Sequence, residues 1–219
     1  MNITRVLLAM IFGLFLLLTL CAQQPGAGVI GWYNGEWQSG IPCLANWYRA
    51  SNSFSRVYDE FEAPAGGWTV IGVFSDNGLD KFPEVIRASW EIRRDMKPRH
   101  GGKLIARGKT RATQIPDPSV TPSHYPADEV AKHFRVQVDG LNVHLPAGRY
   151  WLSVAPVGEG ESFLSATRGA NAVGTDNGRL GIALFRRAGG PAFVAADSVG
   201  SGGQLGIGQH FAQGVIIAK

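Results

Sequence analysis

The chain has 219 residues, of which 45% are hydrophobic and 17% are charged, and its formal net charge is +4. These values exclude intrinsic disorder, which requires low hydrophobicity and a high net charge. So small a charge does not by itself indicate a nucleic-acid partner. The 29 glycines and 12 prolines interrupt almost every window long enough for a helix. Composition therefore favours an all-β protein with many loops and a sizeable core.

Residues 1–22 are predicted to form a secretory signal peptide. Arg5 precedes an apolar run over 6–20, which suits a signal, whereas a membrane span needs about 20 residues. Two kinds of processing remain open: cleavage after Ala22, or lipid attachment to Cys21 as in a lipoprotein. The prediction is a secreted, periplasmic or cell-surface protein with no transmembrane span in the mature chain.

Residues 29–219 are predicted to form one domain of short strands, because apolar and polar residues alternate between turn residues. The predicted strands are 56–61, 68–74, 85–93, 103–113, 134–138, 141–145, 150–154, 162–167, 180–186, 192–196 and 211–217. A turn is predicted at Ser75–Gly78, and a hairpin at Asp139-Gly140. A parallel sheet needs crossover helices, and no amphipathic stretch supplies them. The spacing therefore favours a single antiparallel β-sandwich or jelly roll.

Two segments do not follow this pattern. Leu44–Ala50 is compatible with a helical turn, and 114–132 contains four prolines, which predicts a long surface loop. The end of that loop, 126–130, is compatible with the start of a short helix. Eight residues are predicted to face the core for the most part: Trp68, Val70, Phe74, Trp90, Val136, Val138, Leu152 and Val154.

Four motifs occur in a characteristic order: Trp32-Tyr33-Asn34-Gly35, Val57-Tyr58-Asp59-Glu60-Phe61, Gly67-Trp68-Thr69-Val70 and Ala147-Gly148-Arg149-Tyr150-Trp151-Leu152. This order resembles that of a broad, largely uncharacterised group of exported bacterial β-sandwich proteins, some of which carry a C-terminal sorting or anchoring tail. The resemblance covers most of the mature chain. It implies a fold and a compartment, with no activity attached. The chain departs from the group at 214–219, which is predicted to be a final strand instead of such a tail.

Signatures of catalysis, metal binding and cofactors are not found at recognised spacings. The five histidines are scattered, and one mature cysteine, Cys43, cannot form an internal disulfide or a four-ligand metal cage. The segment 196–200 lacks the first glycine of a nucleophile elbow. The sequence therefore predicts no catalytic residue, no metal ligand and no cofactor. Whether the chain is an enzyme stays open, with the non-enzyme interpretation favoured.

Two groups of acidic residues are each compatible with a functional role and with a structural one. Asp59, Glu60 and Glu62 lie on one predicted strand, and paired carboxylates hydrolyse glycosides when they are about 5–10 Å apart. A solvated or turn-capping role is favoured for them. Asp76–Asp80 offers oxygen ligands around a glycine, as a calcium loop does, but it lacks the later glutamate. A tight turn is favoured there.

Two features favour binding. The segment 87–111 contains nine basic residues and only two acidic ones. Arg107, Lys109 and Arg111 are predicted to share one face of an alternating strand. This basic stripe suits an anionic polysaccharide or a lipid headgroup surface, or alternatively protects a sheet edge from aggregation. Trp37 and Trp47 lie in an aromatic-rich segment, where exposed rings would stack on sugars and buried rings would close one end of the core.

Three functional classes follow from these features. The first is an exported, non-catalytic protein that binds a glycan or envelope polymer, or mediates adhesion, through Trp37, Trp47, Arg107, Lys109 and Arg111. The second is a structural envelope or matrix component without a specific ligand. The third is a glycan-active hydrolase or lyase, which requires a cleft that brings two of the acidic residues together. No nucleic-acid partner is expected, and the oligomeric state is open.

Overall fold

The computed structural model describes residues 28–37, 43–49, 53–81, 84–116, 132–174, 183–190, 192–196 and 210–219. The predicted signal peptide and the predicted helix start at 126–130 lie outside these residues. Within them no α-helix occurs, and none belongs to a helix long and apolar enough to cross a membrane. The prediction of an all-β chain is confirmed for the described part.

Sixteen strands occur in the described residues. In chain order they are β1 (Val29–Tyr33), β2 (Leu44–Ala45), β3 (Trp47–Tyr48), β4 (Phe54–Ala63), β5 (Trp68–Asp80), β6 (Arg87–Arg94), β7 (Lys103–Arg111), β8 (Thr113–Pro116), β9 (Lys132–Leu145), β10 (Gly148–Pro156), β11 (Glu161–Leu164), β12 (Ala166–Thr167), β13 (Leu184–Arg187), β14 (Val194–Ala195), β15 (His210–Phe211) and β16 (Gln213–Ile217).

These strands form two seven-stranded antiparallel sheets and one two-stranded sheet. The first sheet has the order β1-β16-β5-β11-β2, with β9 on β5 and β8 on β9. The second has the order β14-β13-β4-β10-β6-β7, with β3 on β4, and β12 pairs with β15. Within the described chain β7 pairs only with β6. The basic stripe therefore lies on an edge strand of the second sheet.

The largest apolar cluster is built by side chains of both sheets. Val73 and Val136 come from the first sheet, and Phe61, Trp90 and Leu152 from the second. Burying such a side chain stabilises the fold by about 1.5–3 kcal/mol. All predicted core residues are buried except Trp68, which is half-buried.

One predicted core residue is buried on a different face. Phe74 packs against Tyr33 with 5.3 Å between the ring centroids, in a separate small cluster with Ala212. Its burial was predicted correctly. A bulge interrupts the pairing of β5 with β9 after Val70, so the side chains that follow exchange faces of the sheet. Val73 therefore faces the main core, and Phe74 faces the opposite side.

The predicted hairpin at Asp139-Gly140 is wrong. Both halves of that segment belong to one strand, β9, and both pair with β5: Val138 lies opposite Val73, and Val143 opposite Val70. The extra residues between these pairs form a bulge in which Gly140 has φ of 73°. A bulge and a tight turn both use glycine at positive φ, so the dipeptide alone does not distinguish them.

The predicted turn at Ser75–Gly78 and the alternative calcium loop over Asp76–Asp80 are also wrong, since β5 continues through Asp80. Ser75, Asp76 and Asn77 are buried there, and Asn77 Nδ2 donates to Ser75 O at 2.9 Å and Ser75 Oγ at 2.8 Å. Strands β9 and β11 pair with this part of β5 on its two sides. Side-chain hydrogen bonds therefore satisfy these polar residues inside a strand.

The helical turn at Leu44–Ala50 is likewise wrong within the described residues. Ala45 of β2 pairs with Phe163 in the first sheet, and Trp47 of β3 pairs with Ser55 in the second. Asn46 lies between them, where its Nδ2 donates to Val154 O and its Oδ1 accepts from Val57 N at 3.4 Å. The segment is extended because it passes from one sheet to the other.

Candidate functional site

The basic stripe lies on the outer face of β7. Arg107, Lys109 and Arg111 are exposed, whereas Gly108 between them lies against the Trp90 indole on the inner side. A Cβ on that glycine would lie 2.7 Å from the indole Nε1, so a side chain there would collide with the core. This contact fixes which residues of β7 point outward, and the predicted common face of the three cations is observed.

A fourth cation extends the stripe onto the neighbouring strand. Arg87 of β6 pairs with Arg111, while Ser89 pairs with Lys109 and Glu91 with Arg107. Among the described residues none of Arg87, Arg107, Lys109 and Arg111 forms an ion pair with a carboxylate.

An aromatic ring lies directly beside one of these cations, Lys109. The Lys109 Nζ atom is 4.7 Å from the Tyr48 ring centroid, and the Arg56 Cζ atom is 5.7 Å from the same ring. Phe54 stacks on Tyr48 at 6.3 Å, and Arg186 Cζ lies 4.9 Å above Phe54. Each such cation–π contact contributes about 0.5–1 kcal/mol at an exposed site. The structure thus joins the stripe to the aromatic segment through Tyr48.

A partly buried polar network lies next to the stripe on the second sheet. Tyr58 Oη donates to Glu91 Oε2 at 2.9 Å, and Arg93 Nε donates to that oxygen at 2.7 Å. Burial alone would raise the pKa of Glu91, but Arg56, Arg93 and Tyr58 together lower it. Burial, reinforced by Glu91 and opposed by Arg56 and Arg93, raises the pKa of Tyr58 to about 12. Glu91 is thus held ionised by its own neighbours.

The acidic residues of β4 are divided between the two faces of the strand. Asp59 and Glu60 are consecutive, so their side chains point to opposite faces. Glu60 Oε1 lies 3.4 Å from Arg149 Nη1, and burial raises the pKa of Glu60 although Arg149 opposes the shift. Glu62 is exposed beyond them. Glu62 lies on the same strand face as Glu60, and its charge also raises the pKa of Glu60.

Asp59 connects three parts of the fold. Its Oδ2 accepts from Asn34 Nδ2 at 2.7 Å and from Phe211 N at 2.6 Å. Its Oδ1 accepts from Glu60 N at 3.0 Å and lies 3.3 Å from His210 Nδ1. The side chain is fully buried, so these contacts tie the ends of β1 and β15 to β4. We call Asp59 a structural hub because it joins these three segments. Local sequence patterns do not reveal this role, since Asn34 and Phe211 lie 25 and 152 residues away along the chain.

The two candidate tryptophans lie in different places. Trp37 is half-buried and its ring centroid is 4.6 Å from that of His133 on β9. Trp47 is half-buried at the other sheet, with Arg49 Cζ 4.8 Å above its ring. The structure shows no contact between the two rings.

Trp47 also lines an open cleft of about 190 Å³. The cleft lies where the edges of the two sheets meet, and its other lining residues are Ala45, Ser55, Glu161, Phe163, Phe185 and Arg187. Sequence reasoning named Trp47 alone in this group. The remaining residues come from β2, β4, β11 and β13, which only the strand order brings together.

Comparison with known proteins does not assign this chain to a family. No protein-family model, no curated protein and no solved structure matches it. The described residues also contain no group of three or more side chains able to hold a metal ion. Any function must therefore be argued from the surfaces themselves.

Proposed function

We propose that the chain is an exported, non-catalytic β-sandwich protein of jelly-roll type that binds an acidic polysaccharide of the cell envelope. Two antiparallel sheets with a shared core support the sandwich, and the apolar run over 6–20 supports export. The observation that carries the binding proposal is the row of exposed cations on an edge strand, which form no ion pair with a carboxylate among the described residues.

The spacing of these cations suits a polymer. Alternate residues on a strand lie about 6.6–6.8 Å apart, so Arg107, Lys109 and Arg111 form a row and do not converge on one point. The Debye length is about 10 Å at 0.1 M salt. Neighbouring charges therefore reinforce one another's potential over the length of the row, as an extended anionic chain requires.

The contacts with aromatic rings hold part of this row in place. Lys109 packs over Tyr48, which in turn stacks on Phe54. A side chain held in this way loses less conformational freedom when a ligand binds, because part of its ordering has already occurred. Protection of the β7 edge is the competing explanation, and it predicts no saturable ligand.

Co-sedimentation with insoluble polysaccharides tests the proposal. The wild-type protein should bind a carboxylated or sulfated polymer at low salt at least tenfold more tightly than a neutral glucan. Arg107→Ala/Lys109→Ala/Arg111→Ala should lose at least tenfold in affinity. Lys81→Ala/Lys132→Ala/Lys219→Ala removes the same charge from exposed positions elsewhere and should bind normally. Equal loss in both variants, or no binding by the wild type, would favour the structural-component alternative.

A further inference from the structure

The cleft beside Trp47 has a mixed lining. Three aromatic side chains, Trp47, Phe163 and Phe185, form its apolar part, and Glu161 and Arg187 supply an acceptor and donors. Small-molecule sites are typically concave and apolar with a few placed polar groups. The cleft has that composition, and it is formed by residues of both sheets.

The walls of the cleft are held by pairing and by hydrogen bonds. Ala45 pairs with Phe163 on one side, and Trp47 pairs with Ser55 on the other. Ser55 Oγ donates to Ala45 O at 2.9 Å, which ties the two sides together. Arg49 covers part of the Trp47 indole. The cleft is therefore largely preformed, and a ligand would not need to order it.

Its size and charge limit the ligand. A volume of about 190 Å³ is below the about 300–1,000 Å³ of sites that enclose drug-sized molecules, so the cleft holds one ring, and further rings of a glycan would lie outside it. Glu161 and Arg187 have opposite charges, and Glu161 Oε1 also lies 4.0 Å from Arg49 Nη2. Because the lining itself holds one acidic and one basic side chain and Arg49 lies outside it, the lining has no net charge and does not select a strongly charged ligand.

We propose that this cleft binds a single neutral pyranose ring, as a free sugar or at the end of a glycan. The aliphatic C–H face of a pyranose packs on aromatic rings, and its hydroxyl groups both donate and accept hydrogen bonds. Glu161 accepts from such a hydroxyl, and Arg187 donates to one. This inference rests on the proposed function only in that the ligand is a saccharide. The two sites are otherwise independent, because the basic stripe contributes no residue to the cleft.

Titration with free glucose, galactose, mannose and N-acetylglucosamine, followed by calorimetry and tryptophan fluorescence, tests this site. At least one sugar should bind saturably with a millimolar Kd. Trp47→Ala should weaken binding at least tenfold, and Trp47→Phe should retain most of it. Ile86→Ala, which removes an exposed apolar side chain outside the cleft, should leave it unchanged. An unaltered unfolding midpoint in Trp47→Ala shows that the loss is local.

The outcome is separable from that for the basic stripe. Sugar binding in the cleft should persist at 1 M salt, where the Debye length is about 3 Å, and in Arg107→Ala/Lys109→Ala/Arg111→Ala. Absence of binding for all four sugars, or undiminished binding in Trp47→Ala, would overturn the cleft proposal. Neither result would affect the test of polymer binding to the stripe.

Discussion

Replacing Asp59 with alanine tests whether this residue is the structural hub that its contacts indicate. The substitution leaves Asn34 Nδ2 and Phe211 N, which donate to Oδ2 at 2.7 and 2.6 Å, without their acceptor inside the protein. A buried donor that loses its partner costs about 1–3 kcal/mol. Two such donors give an expected loss of about 2–6 kcal/mol in the free energy of unfolding, before any contribution from Glu60 N or His210.

Two matched variants separate this effect from simple loss of charge. Asp59→Asn keeps one carbonyl oxygen that can serve both Oδ2 donors, so we expect a smaller loss of about 1–2 kcal/mol. Glu62→Ala removes an exposed carboxylate from the same strand and should change stability by less than about 0.5 kcal/mol. Urea unfolding, compared at constant m-value, measures all three. A loss below 1 kcal/mol for Asp59→Ala would refute the hub interpretation.

Two further predictions concern β6 and β9. Because the pKa of Glu91 is lowered below its ordinary 4.5, its ion pair should stabilise the fold above that pH and lose this effect as the pH falls through the lower folded value. Glu91→Gln should therefore be destabilised at pH 7 by about 2 kcal/mol, with the difference from wild type shrinking towards pH 3; a constant difference in urea midpoints would contradict this. Gly140→Ala should cost about 1 kcal/mol, because φ is 73° although no atom obstructs a Cβ. Gly66→Ala, equally unobstructed, is its control, and equal thermal midpoints for the two variants would exclude backbone strain at Gly140.

Alternation predicted much of the sheet structure correctly. A strand with one buried face repeats its apolar side chains every second residue, and that signal is local. It also placed Arg107, Lys109 and Arg111 on one face. The same locality explains the errors. Asp76 has the residue type of a turn, but it lies inside β5 because Arg135 of β9 donates two hydrogen bonds to its carboxylate, at 2.7 and 2.9 Å. The sequence around Asp76 does not contain this partner.

The composition of the candidate sites depends on strand order. Tyr48 lies beside Lys109 because it bridges Val157, whose N donates to Arg87 O on β6, the neighbour of β7. No periodicity in the sequence predicts this arrangement. The cleft similarly needs β11 and β13 beside Trp47. Sequence reasoning could select cationic and aromatic candidates by residue type. It could not determine which cation faces which ring.

Measuring the affinity for an acidic polysaccharide as a function of salt tests polymer binding by the stripe most directly. Successive stripe cations lie about 6.6–6.8 Å apart, within the Debye length of about 10 Å at 0.1 M but beyond the about 3 Å at 1 M. Affinity of the wild-type protein should therefore fall steeply between these concentrations, and Arg107→Ala/Lys109→Ala/Arg111→Ala should bind weakly with a much shallower dependence. Salt-independent binding by the wild type, or an equally steep dependence in the variant, would contradict binding through the stripe.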